Sequence, residues 1–241
     1  MAQLTYTFAR VEKKYLLTEA QYTALMERLS PYLTADAYGN YTLCNIYYDT
    51  HCYDLIRRSL DKPVYKEKIR LRSYGVVTPE APVFLELKKK YEGIVYKRRI
   101  KLPYHSAYAY LAQGVLPATD SQIFREIDYF VRFYQPHPAV YLAYDREAYF
   151  VQDDPELRVT FDRNIRYRLQ DLHLDTTDSG ERLLPEGKVL LELKLPATMP
   201  LWLTAALTDV QARPTSFSKY GNIYQKEYPR LFGAALSEIM G

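Results

Sequence analysis

Cysteine is nearly absent from this 241-residue chain. Its two examples, Cys44 and Cys52, are too few for a disulfide scaffold and lack the spacing of a metal site, so they predict reduced thiols. No apolar run approaches the length of a membrane span, and the N-terminus has no signal-peptide pattern. Those absences predict a cytoplasmic protein with no membrane span in this chain. Low-complexity segments, internal repeats and Gly/Ser linkers are also missing, so the chain reads as one domain over residues 1–241. There is no phosphate-binding glycine loop, no dinucleotide fingerprint and no Ser/His/Asp arrangement. The four histidines, His51, His105, His137 and His173, are scattered and read as structural or surface residues.

What the chain has instead is tyrosine, 25 of them, against a net charge of only +3. Tyrosine suits strands, because its ring packs while its hydroxyl reaches water. With so small a net charge, any strongly cationic site must come from placement rather than excess. Period-two alternation predicts strands near Tyr6–Leu17, Tyr41–Asp49, Val64–Tyr74, Pro82–Lys90, Gly93–Leu102, Val140–Val151, Leu157–Arg168 and Lys188–Leu195. A turn at Glu92-Gly93 joins two of them as a hairpin. Helices are predicted over Thr18–Ser30, Ser106–Ala112, Ser121–Tyr134, Leu201–Ala212 and Asn222–Ile239. The first has Thr18 as N-cap and Gln21 at the capping-box position. Many strands without regular strand–helix alternation predict a mainly β fold: a closed antiparallel eight-stranded barrel with helices packed outside.

Side chains in a strand alternate between faces, so each strand can be sorted by parity. One face gathers Lys66, Lys68, Arg70 and Arg72, opposite Ile69 and Leu71. The next strand sets Glu86, Lys88 and Lys90 opposite Val83, Leu85 and Leu87, and its successor sets Lys97, Arg99 and Lys101 opposite Ile100 and Leu102. Further along, Arg158, Thr160 and Asp162 share a face, as do Glu192 and Lys194, Tyr144 and Arg146, and Arg10, Glu12 and Lys14. A single β-bulge would exchange Arg98 for Arg99 on the polar face. A solvated sheet face also alternates in this way. These faces, however, are nearly all cationic, with isolated acids among them.

Turned inward, such a lining is tenable only if it stays wet or meets a polyanion. Phosphate fits best, since Arg offers a bidentate fork and Lys a compact charge. The isolated Glu12, Glu86 and Glu192 make poor phosphate contacts but suit a hard divalent ion that bridges carboxylate and phosphate. Nucleic acid is disfavoured as the partner: the pI is only 8.6, and no helix-turn-helix, zinc-finger or RRM signature is present.

Several short motifs resemble the vacuolar transporter chaperone (VTC) polyphosphate polymerase domain, a branch of the triphosphate tunnel metalloenzymes. They are Arg10-Val11-Glu12-Lys13-Lys14-Tyr15, Tyr47-Tyr48-Asp49-Thr50, Arg70-Leu71-Arg72 and Glu86-Leu87-Lys88. Lys97-Arg98-Arg99, Tyr144-Asp145-Arg146, Glu192-Leu193-Lys194 and Phe217-Ser218-Lys219-Tyr220 follow in the same order. The resemblance implies a metal-dependent phosphotransferase that moves the γ-phosphoryl of ATP onto a growing polyphosphate chain with Mn²⁺ or Mg²⁺. It implies Lys219, Arg70, Arg72, Arg146 and Glu192 as catalytic residues. Arg10, Lys14, Lys88, Lys97, Arg99, Tyr144, Arg158 and Lys194 would bind phosphate. Glu192 would be the main metal ligand, with Glu86 and Glu12 either assisting it or orienting neighbouring cations. The related triphosphatases and cyclases open with Glu-x-Glu-x-Lys, whereas here the first position is Arg10, which favours the polymerase branch. No partner domain is evident, so a stand-alone, bacterial version is expected. A tunnel-type triphosphatase and a non-catalytic polyphosphate or nucleotide sensor are the alternatives.

Overall fold

The computed structural model describes residues 11–92, 94–196 and 198–239. The first five residues of the expected strand Tyr6–Leu17, Arg10 among them, and Gly93 of the hairpin turn lie outside the described residues. In chain order the elements are β1 (Val11–Thr18), α1 (Glu19–Leu29), β2 (Leu33–Asp49), α2 (Asp54–Leu60), β3 (Tyr65–Tyr74), β4 (Pro82–Tyr91) and β5 (Ile94–Pro103). Then come α3 (Tyr104–Gln113), α4 (Gln122–Tyr134), β6 (His137–Val151), β7 (Asp154–Arg168) and β8 (Glu181–Arg182). The last are β9 (Lys188–Leu195), α5 (Leu201–Asp209), β10 (Pro214–Thr215) and α6 (Lys219–Ile239). Among the described residues, no helix is long and apolar enough to cross a membrane.

The hydrogen-bonded strand order is β10-β1-β9-β7-β6-β2-β3-β4-β5, with β8 added to β7. Strand β1 pairs antiparallel with β10 and β9, β7 with β8 and β9, and β2 through β5 with one another in succession. This corrects the expectation of a closed eight-stranded barrel. The path is open, and among the described residues its end strands β10 and β5 do not pair. The physical reason is visible at β1: the two residues of β10 occupy its outer edge, with Lys14 opposite Thr215 and Tyr15 opposite Pro214. Two-residue strands carry no periodicity, so alternation could not reveal β8 or β10.

The chain forms two compact units. The first comprises residues up to Thr42, Tyr144–Ile165 and Leu184–Ser216. Its core takes Tyr15 and Leu17 from β1, Leu157, Val159 and Phe161 from β7, and Val189, Leu191 and Leu193 from β9. Leu25 and Leu29 of α1 and Leu203, Ala206 and Leu207 of α5 cover it. Each fully buried large apolar side chain of this kind contributes about 1.5–3 kcal/mol. Helix α1 starts as expected. Thr18 Oγ1 accepts from the Gln21 N–H at 3.2 Å, and Gln21 Oε1 accepts from the Thr18 N–H at 3.0 Å. Gln21 Nε2 then donates to the Val210 carbonyl at 2.9 Å, tying α1 to the end of α5.

The second unit comprises Leu43–Ala143, Arg166–Leu183 and the chain from Phe217 onward. Its core joins Ile46 and Tyr48, Ile69 and Leu71, and Val83, Leu85 and Leu87 to Ala107 and Tyr110 of α3 and Phe124, Ile127 and Phe130 of α4. Helix α4 begins at the Ser121 cap, whose hydroxyl accepts from the Phe124 N–H at 3.1 Å. Helix α2, absent from the sequence-based expectation, is held by a buried carboxylate: Asp49 accepts from the Thr50, Leu55 and Ile56 N–H groups at 2.9–3.0 Å. Both cysteines are free, Cys44 buried and Cys52 exposed.

Candidate phosphate-binding site

In the second unit, strand register turns the alternating charges into a grid. Tyr47, Arg70, Glu86 and Arg99 lie directly opposite one another across β2, β3, β4 and β5. The row on one side is Asn45, Arg72, Phe84 and Lys101, and the row on the other includes Lys68, Lys88 and Lys97. Like charges directly opposite one another in a sheet are destabilising, so this face must be held by something other than strand pairing.

Glu86 holds it. The residue is 2% exposed and gathers four cations. Arg70 reaches it at 2.7 Å, Lys97 at 2.9 Å, Arg99 at 3.6 Å and Arg72 at 3.9 Å. Burial works to raise its carboxyl pKa, but Arg70, Arg72 and Lys97 outweigh it and hold the group well below the usual range. Further contacts aim the arginines. Arg70 Nη1 donates to the Tyr47 hydroxyl at 3.0 Å, Arg72 Nε donates to Asn45 Oδ1 at 3.0 Å, and the Arg99 guanidinium lies 3.5 Å from the centre of the Phe84 ring. Asn45 is itself fixed by donating to the Leu142 carbonyl at 3.2 Å. Arg98 points away from this grid and pairs with Glu126 of α4 at 2.7 Å. The register is continuous, so no bulge exchanges the two arginines.

Tyr47 and Lys97 on this face also have shifted acidity. Burial raises the Tyr47 phenol, but the charges of Arg70, Lys68 and Arg72 overcome it and bring the pKa to about 8. Burial lowers Lys97, also to about 8, with Glu86 opposing and Arg70 and Arg72 reinforcing the shift.

Lys219 is the first residue of α6. Before it, Ser218 accepts from the Gly221 N–H at 3.2 Å and from Lys68 Nζ at 3.5 Å. After it, Tyr220 stacks on Tyr47 with ring centres 4.9 Å apart and donates its hydroxyl to Asp49 Oδ2 at 2.8 Å.

The first unit carries its own set. Across β1, β9 and β7, Lys14, Glu192 and Thr160 form one row and Glu12, Lys194 and Arg158 the next. Glu192 lies 3.7 Å from Lys14 and 3.8 Å from Lys194. Arg146 grips Asp162 with two hydrogen bonds, 2.6 and 2.8 Å long. Burial alone would lower the Arg146 pKa, but Asp162, Tyr144 and Glu192 hold it well above its ordinary value. Its guanidinium is 5.2 Å from the Tyr144 ring centre, and that of Arg158 is 4.4 Å from the Phe150 ring centre.

No three His, Cys, Asp or Glu side chains come together to hold a metal ion among the described residues. Within the second unit the surroundings of Glu86 are cations rather than metal ligands. A lone carboxylate such as Glu192 still fits an ion that takes most of its oxygens from phosphate and water.

Sequence reasoning missed Asn45, Tyr47 and Phe84 on the cationic face and the partnership of Asp49 with Tyr220. Sorting β2 by parity would have found the first two. The last joins residues 171 positions apart and has no local signal.

No curated protein matches the chain. Among solved structures, a candidate adenylate cyclase of Bacillus halodurans is similar at 14% identity and a TM-score of 0.54, over 87% of this chain and 93% of that one. HpAC1 of Hippeastrum, a candidate adenylyl cyclase with a dominant triphosphatase activity, is similar at 16% identity and a TM-score of 0.51, over 88% of this chain and 92% of that one. At these identities the likeness is one of fold. A family model for the VTC domain matches residues 9–228, and the chain belongs to the VTC domain family.

Proposed function

We propose that this chain is a metal-dependent polyphosphate polymerase that transfers the γ-phosphoryl of ATP to a growing polyphosphate chain. The observation that carries the reading is the buried Glu86 with four cations around it. Four positive charges converge on one negative one, and a phosphate chain suits that surplus. Family membership supports the same activity through the resemblance of its motifs.

In this reading Arg70, Arg72, Lys88, Lys97 and Arg99 grip phosphate oxygens, and Glu86 positions them. The resemblance of the motifs assigns charge stabilisation on the transferred group to Lys219 and Arg146, and the binding of further phosphates to Arg10, Lys14, Arg158, Lys194 and Tyr144. Glu192 offers its carboxylate to Mn²⁺ or Mg²⁺, which supplies charge neutralisation on phosphate oxygens when bound. Phosphoryl transfer depends chiefly on alignment and charge stabilisation. An oxygen of the terminal phosphate of the acceptor bonds to the γ-phosphorus, the bond to the β–γ bridging oxygen breaks, and ADP leaves. The attacking oxygen is already charged, so no general base is required.

The test is incubation with ATP and Mn²⁺, with products resolved on a gel stained for polyphosphate. A ladder destroyed by an exopolyphosphatase and absent from Glu192→Ala is expected. Free phosphate without a ladder would favour the second reading, a triphosphatase, which the fold shared with HpAC1 supports. Tripolyphosphate binding without turnover would leave a sensor.

A further inference from the structure

We propose that Tyr220 is a positioning residue, which sets Lys219 by stacking on Tyr47 and bonding to Asp49. The inference rests on the role of Lys219 in the proposed function. Lys219 opens a helix of 21 residues. The N-terminus of a helix favours negative charge, so a cation there gains nothing from the helix itself. Its placement must come from neighbouring side chains.

The structure holds the residues on both sides of it. Ser218 caps α6 through its hydroxyl, which also receives Lys68 Nζ. Tyr220 is 3% exposed and makes two contacts on strand β2. Its ring stacks on Tyr47, whose hydroxyl accepts from Arg70. Its own hydroxyl donates to Asp49, the carboxylate that also caps α2. The step from Ser218 to Tyr220 is therefore fixed at both ends to the strands that carry Tyr47, Lys68 and Arg70. Gly221 leaves little room to shift: a Cβ there would meet Leu60 Cδ2 and Ser218 Oγ at 3.1 Å.

The experiment is a double-mutant cycle read by calorimetric titration of tripolyphosphate into the full chain. The variants are Tyr220→Leu, Tyr220→Phe, Lys219→Ala and the combination of Tyr220→Leu with Lys219→Ala. Tyr220→Leu should weaken binding about fivefold or more, and Tyr220→Phe, which keeps the stacked ring, should recover part of the loss. In the Lys219→Ala background the Leu substitution should have no further effect. Wild-type affinity in Tyr220→Leu, or an equal loss with and without Lys219, would overturn the proposal. If Tyr220→Leu fails to show a cooperative melting transition, the same cycle is run with Tyr220→Phe and judged by the same criteria. A wild-type protein that binds tripolyphosphate but makes no polymer would remove the polymerase reading and leave the cycle to decide the role of Tyr220. Unchanged binding in Lys219→Ala would overturn both assignments.

Discussion

Glu86 is the residue on which the cationic face depends. Replacing it with Gln leaves Arg70, Arg72, Lys97 and Arg99 to repel one another, and breaking a buried ion pair costs about 3 kcal/mol or more. Glu86→Gln should therefore melt well below the wild type, and tripolyphosphate should recover more melting temperature in the variant than in the parent. A thermal melt with and without the anion checks this. The carboxylate also gives an acid limb. Its folded pKa is depressed, so its contribution is present above the ordinary value of 4.5 and is lost as pH falls through the lowered one. Tyr47 and Lys97 act at the other end of the scale. As pH rises through about 8, Tyr47 gains a negative charge and Lys97 loses a positive one. Both changes oppose anion binding, so tripolyphosphate affinity should fall across that window, and Tyr47→Phe should reduce the fall. For folding the sign of the Tyr47 effect is opposite: its depressed pKa adds stability to the free protein as pH climbs from about 8 towards 10.

At the scale of elements, β5 shows how much alternation can say. Parity separates Arg99 from Ile100 but leaves open a bulge that would bring Arg98 onto the cationic face. The register resolves the ambiguity, with Arg99 opposite Glu86 and Arg98 paired to Glu126. Arg99→Ala should weaken tripolyphosphate binding several-fold, whereas Arg98→Ala should leave it near the parent value; parallel titrations of the two variants check the difference. The same logic explains why β9 is legible to the residue, Lys188–Leu195, and α2 is not. In β9 the alternation of Val189, Leu191, Leu193 and Leu195 with Glu192 and Lys194 writes the strand period into the sequence. A seven-residue helix stabilised by the buried carboxylate of Asp49 writes almost nothing.

Over the whole molecule, the alternation of charged and apolar residues by itself determined a mainly β protein with helices over its apolar faces and cations on its polar ones. That information is local, because a side chain's face depends only on its parity within a strand. Closure of the sheet is not local, and there the expectation of a barrel fails. Two residues far along the chain, Pro214 and Thr215, take the edge of β1. The grouping of four cations around Glu86 likewise required strand register, and the bond between Tyr220 and Asp49 required the return of α6 to β2. Composition and period describe what each segment can bury; register and long-range contacts determine which segments meet, because they depend on packing free energy summed over residues that are remote in sequence.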